Sequence, residues 1–146
     1  MNVDVVTEGV IQRPRGDVAK YVADPDNAPS WYTNIKSVAW RSSRPLAVGS
    51  QVEFIAHFLG RRLRYTYEIT EYVPGSRLVM RTAEGPFPME TTYTWEDAGP
   101  GATRMTLRNR GRPTGFARLG APMMAMAIRR ANRMDVARLR RLLEHP

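Results

Sequence analysis

The stretch QVEFIAHFLGRRLRYTYEIT, residues 51–70, decides the fold. In its first half Val52, Phe54, Ala56 and Phe58 alternate with Gln51, Glu53, Ile55 and His57. In its second half Leu63, Tyr65, Tyr67 and Ile69 alternate with Arg62, Arg64, Thr66 and Glu68. Side chains of an extended chain point to opposite faces in turn, so each half reads as a strand with one apolar and one mostly polar face. Leu59-Gly60-Arg61 between them predicts a tight hairpin.

The same period continues downstream. Leu78, Met80 and Thr82 follow a turn at Pro74-Gly75, and Met89, Thr91, Tyr93 and Trp95 repeat the spacing. After a strong turn at Ala98-Gly99-Pro100-Gly101, Thr103, Met105 and Leu107 alternate with Arg104, Thr106 and Arg108. Strands joined by short turns predict an antiparallel meander with one face in water. Upstream, residues 2–12 form a valine-rich strand that Pro14 and Gly16 break. Asp17 is expected to cap a short helix carrying Val18, Tyr21 and Val22 on one side, ended by Asp24-Pro25. Residues 27–35 predict a second short helix or turn bearing Trp31 and Ile35.

The sheet is expected to end at residues 111–115, and the period changes from about Phe116. Met124, Ile128, Ala131, Asp135, Leu139 and Leu142 follow steps of four and three, one face of a long helix over about residues 121–143, with Pro122 near its start. Arg129, Arg130, Arg133 and Arg140 mostly point the other way. The expected architecture is therefore α+β, a single domain over residues 1–146. A curved antiparallel sheet of six to seven strands has one apolar face to cover, and only the last helix is long enough to cover it.

This order, with several local features, resembles the START-like superfamily, also called Bet v 1-like or SRPBCC, and within it the polyketide cyclase/dehydrase-type bacterial members. The resemblance is carried by Asp24-Pro25 through Trp31, Ile35 and Val38, by Pro45-Leu46-Ala47-Val48-Gly49, and by the tail at residues 131–144. It spans nearly the whole chain, on structural rather than catalytic motifs. It implies a helix-grip fold with an internal cavity for lipids, polyketides, sterols or similar molecules, and it does not imply one reaction.

Composition narrows the chemistry. The chain has 146 residues, enough for a sizeable core, and no cysteine, which excludes disulfides and thiolate metal sites. The first ten residues carry Asp4 and Glu8 and no long apolar core, so no export signal is expected, and a reducing cytoplasm suits the chain. No apolar run approaches the roughly 18 residues of a membrane span. The net charge is +8, with lysine only at Lys20 and Lys36. Such a balance suits nucleic acid or an anionic membrane, or simply a solvated surface. For Arg129, Arg130, Arg133, Arg138, Arg140 and Arg141 a solvated helix face is expected. No aromatic interleaving favours single-stranded nucleic acid, and no specific nucleic acid is expected as partner.

The candidate ligand-binding residues are Phe54, Phe58, Tyr65, Tyr67, Met80, Tyr93, Trp95 and Met105 on the sheet and Met124, Ala127, Ile128 and Ala131 on the helix. Aromatic and thioether groups suit an apolar ligand, and the alanines leave room between sheet and helix. Against this stands a core filled by the same residues. The tyrosine hydroxyls are expected at the rim, bonded to water, with ligand orientation as the alternative. Asp135 is the one acid on the apolar stripe. An ion pair with Arg138 is expected for it, and burial would instead make it an acid or base. His57 has the parity of the polar face, and His145 is next to the C-terminus. Nothing supplies a metal site, a phosphate loop or a Ser/His/Asp arrangement, so no catalytic residue, metal or cofactor is expected. The function expected is binding of a small hydrophobic ligand without catalysis. A cyclase or aromatase on a polyketide-like substrate is the first alternative, and a basic interaction module the second.

Overall fold

The computed structural model describes residues 2–112 and 120–146. The change of period expected at Phe116 lies outside them, as does most of the expected sheet end at residues 111–115. Seven strands form one antiparallel sheet: β1 (Val3–Ile11), β2 (Ile35–Trp40), β3 (Gln51–Phe58), β4 (Arg61–Val73), β5 (Arg77–Glu84), β6 (Met89–Asp97) and β7 (Thr103–Gly111). Their spatial order is β1-β7-β6-β5-β4-β3-β2. Strands β2 to β7 are a plain meander, and β1 closes the far edge by pairing with β7 from Val3 opposite Gly111 to Ile11 opposite Thr103. Helices α1 (Arg15–Ala23) and α2 (Ala28–Trp31), with a short 3-10 turn at Pro25–Asn27 between them, connect β1 to β2. Helix α3 (Ala121–Glu144) is continuous and carries Pro at its start, where a missing N–H costs nothing. This is the helix-grip fold.

The tight β3–β4 turn works because Leu59 and Gly60 both take positive φ, 49° and 76°, matching the twist of the flanking strands. Strand β4 is 13 residues long and bends at two irregularities of register against β5, between Thr66 and Tyr67 and between Ile69 and Glu71. Bulges of this kind bend a strand and increase its twist, which curves the sheet around α3. On the convex face, Glu90 bridges Arg81 and Arg110, and Arg108 binds Asp4. These exposed pairs keep arginine on the water side and add little stability.

Two details differ from the sequence reading. Asp17 does not cap α1; Pro14 holds that position, and Asp17 lies within the first turn, 3.2 Å from Arg13. The buried stripe of α3 runs Met124, Ile128, Asn132, Asp135, Val136, Leu139, Leu143. Leu142 is 38% exposed, because the step from Leu139 that stays beneath the helix is four residues, not three.

Helix α3 approaches the sheet closely at Gly9, where a built Cβ would stand 2.6 Å from Cγ1 of Val136. Gly9→Ala should therefore cost about 1–3 kcal/mol through overpacking. Combining it with Val136→Ala should destabilise less than the two single changes summed, as read from urea unfolding of all four proteins. Trp95 lies fully buried opposite Met105, and Trp95→Ala should cost about 3–5 kcal/mol. A loss under about 1 kcal/mol in the same assay would place Trp95 outside the core.

Candidate functional site

The core falls into two clusters. The larger gathers Ile11, Val18, Trp31, Ile69, Leu78, Tyr93, Trp95, Met105 and Leu107 with Val136, Leu139 and Leu143 of α3. The smaller holds Val3, Val5 and Leu63 with Met124 and Ile128. Tyr65 packs against both. A cavity of about 170 Å³, lined by residues of both clusters, lies under α3.

Nine of the twelve expected residues line it: Phe54, Phe58, Tyr65, Tyr67, Met80, Tyr93, Met124, Ile128 and Ala131. Cross-strand register brings the aromatics together. Phe54 is directly opposite Tyr65, with ring centroids 5.7 Å apart, and Tyr65 and Tyr67 meet edge to face at 5.1 Å.

Three expected residues are elsewhere. Trp95 and Met105 have the right parity but form a pair across β6 and β7, two residues past Tyr93 and Leu107, where the core is filled. Ala127 is half-buried, because one residue is a turn of about 100° and carries it off the line of Met124, Ile128 and Ala131. The small residue beneath the helix is Ala131.

The tyrosine hydroxyls are not at a wet rim. Tyr32 and Tyr93 hydrogen-bond each other through their hydroxyls. Thr91 Oγ1 donates to Asn109 Oδ1 at 2.6 Å, so the single Tyr67 proton goes to Thr91 Oγ1 at 3.1 Å. Burial pushes the Tyr67 hydroxyl up to about 12 and those of Tyr32, Tyr65 and Tyr93 well above their ordinary value. All four remain neutral hydrogen-bonding groups at physiological pH. Among the described residues, no hydrogen bond reaches the Tyr65 hydroxyl.

Asp135 makes no ion pair with Arg138. Its side chain is buried, and Oδ1 accepts from the Thr33 backbone N–H at 2.9 Å and from the Thr33 hydroxyl at 3.0 Å. Burial raises its pKa, while the two Thr33 bonds and the more distant charge of Arg138 oppose the rise. Sequence reasoning missed several wall residues: Trp31, Tyr32, Thr91, Asn109 and Asn132. Thr91 and Asn109 share strand parity with Tyr93 and Leu107, and Asn132 is four residues from Ile128 on the buried stripe. Polarity hid them. The indole N–H of Trp31 and the amide Nδ2 of Asn132 are buried and without a partner among the described residues. His57 is exposed on the convex side, as its parity requires.

A curved sheet gripping a long helix over an apolar cavity with a few internal polar groups defines the class of helix-grip ligand-binding proteins. The family described as polyketide cyclase / dehydrase and lipid transport matches residues 2–144, and the chain belongs to it. Among solved structures, a START superfamily protein from Mycobacterium smegmatis superposes with a TM-score of 0.83 at 14% identity, covering 97% of this chain and 97% of that chain. The Zhui aromatase/cyclase from Streptomyces sp. R1128 gives 0.79 at 15% identity, covering 99% of this chain and 94% of that chain. The ginseng major latex-like protein 151 from Panax ginseng gives 0.77 at 12% identity, covering 99% of each chain. At these identities the likeness is one of fold. No curated relative matches the sequence. No helix among the described residues is long and apolar enough to cross a membrane.

Because the native state holds the Asp135 proton more tightly than the unfolded chain does, the contribution of Asp135 to wild-type stability should fall as pH rises past the ordinary value of 3.8. Asp135→Asn lacks this proton and keeps an oxygen for Thr33. Urea midpoints compared over a pH series should show the wild type losing ground to the variant as pH rises; a constant difference would contradict the raised pKa.

Proposed function

We propose that the protein binds a small hydrophobic molecule in the cavity under α3, and that holding the ligand, rather than converting it, is its task. The observation that carries this is the cavity itself. A core of this composition could have packed solid, yet it leaves about 170 Å³ walled by aromatic, thioether and aliphatic groups. An apolar cavity of about 150 Å³ holds benzene. The space therefore suits a molecule of one or two rings, or a short chain, without rearrangement. Family membership supports the reading, since its description joins cyclase chemistry with lipid transport.

A second reading, cyclase or aromatase activity, is favoured by one feature, the buried carboxyl of Asp135 at the cavity wall. Conversion of a linear poly-β-ketone by the purified protein, abolished in Asp135→Asn, would establish it over simple binding.

A neutral solvatochromic naphthalene probe should bind the native protein with a blue-shifted emission, and small apolar molecules should displace it. Ala131→Trp places an indole in the cavity and should weaken probe binding at least about tenfold. With a true void the variant should lose less than about 1 kcal/mol of stability, whereas a close-packed site would lose about 1–3 kcal/mol. Absence of probe binding by the wild type, with marked destabilisation of the variant, would leave a plain structural domain.

A further inference from the structure

Among the described residues the cavity has one carboxyl group, and its surroundings specify what can sit against it. This chain carries 22 lysines and arginines, yet among the described residues that line the cavity there is no lysine, arginine or histidine. The only carboxyl group there is that of Asp135, 1% exposed. Both of its hydrogen bonds, from the backbone and the hydroxyl of Thr33, end on Oδ1. Among the described residues nothing bonds to Oδ2. Oδ2 is not among the sealed atoms that lack a partner, so it keeps contact with the open space of the cavity, where a ligand's donor can reach it.

The position of Asp135 fixes which part of a ligand would reach it. It lies 11 residues along α3 from Met124, roughly 16 Å at the helical rise. Met124 belongs to the smaller apolar cluster. At the Asp135 end Thr33 ties α3 to the segment following α2 and the Tyr32–Tyr93 hydroxyl pair stands nearby, whereas the Tyr67–Thr91–Asn109 chain, whose members bond one another, lies opposite Val5 of that smaller cluster. The acceptor that no protein group occupies is thus at the Asp135 end, and a ligand's polar tip is expected there.

We infer that the cavity selects an uncharged apolar molecule bearing a hydroxyl group, which donates to Oδ2 of Asp135, and that it rejects the corresponding carboxylate. This rests on the cavity-binding reading above and names its ligand class. A hydroxyl brings the donor that Oδ2 lacks. A carboxylate brings no donor, meets no cation on the described wall, and must lose its hydration beside a second acid.

The orientation of Thr33 also predicts what Asp135→Asn does. Two donors hold one side-chain oxygen in place, so the amide oxygen keeps the Oδ1 position and the NH₂ group takes that of Oδ2. The cavity then offers a donor where it offered an acceptor, and the preference should turn toward ligand acceptors.

Naphthalene, naphthol and naphthoate test this with one ring system, by calorimetry with the full chain near neutral pH, where naphthol is uncharged and naphthoate ionised. The wild type should bind naphthol about tenfold or more tighter than naphthoate, and tighter than naphthalene. In Asp135→Asn the advantage of naphthol over naphthoate should shrink to about threefold or less. Wild-type binding of naphthoate as tightly as naphthol would overturn the inference, with no need of the variant. Equal binding of naphthalene and naphthol would overturn the contact to Oδ2 while leaving the cavity reading intact. Binding of none of the three would remove both.

Discussion

The close approach of α3 to β1 at Gly9 is the constraint on which the rest depends. Without a Cβ at that position, Val136 settles against the strand backbone, and the second half of the helix seats on the main core through Leu139 and Leu143. The first half rests on Val3, Val5 and Leu63 through Met124 and Ile128. The helix is thus held along β1, and the rest of the sheet curves away from it. The cavity lies between α3 and that curved surface, with Ala131 a small residue in its wall.

The curvature has its own local causes. Two irregularities of register bend β4, the longest strand, and a left-handed Leu59-Gly60 turn starts it with the correct twist. The sheet is closed at one edge by β1, so the first and last strands of the chain lie together and α3 can cross both the meander and its closing strand. Among the described residues that line the cavity there is no arginine. A sheet whose convex face carries ion pairs keeps its concave face for apolar groups, and the lining of the cavity is nearly free of charge as a result.

The polar groups that do enter the cavity are arranged in pairs that satisfy each other: Tyr32 with Tyr93, Tyr67 with Thr91 and Thr91 with Asn109. A satisfied hydroxyl costs little when buried and still presents a lone pair or an edge to a ligand. Among the described residues of the cavity wall, Nδ2 of Asn132 and the Trp31 indole N–H stay without a partner and are sealed in, whereas Oδ2 of Asp135 and the Tyr65 hydroxyl stay without a partner and are not sealed in.

The strands, their faces and the long helix were legible in the sequence, because periods of two and of three to four are local properties that each residue expresses by its position. Phe54, Tyr65, Tyr67 and Tyr93 could be assigned to one concave face for the same reason. What periodicity does not carry is position along the strand: Trp95 and Met105 share the face of Tyr93 yet lie two residues into the filled core. Nor does it fix helix rotation to within one residue, which put Ala127 in the cavity in place of Asn132 and Leu142 beneath the helix in place of Leu143. The partner of Asp135 was beyond sequence reasoning altogether. Arg138 is three residues away and Thr33 is 102 residues away, and only the docking of α2 against α3 places Thr33 on the carboxylate. Tertiary structure alone decided which polar groups were paired and which were left without a partner.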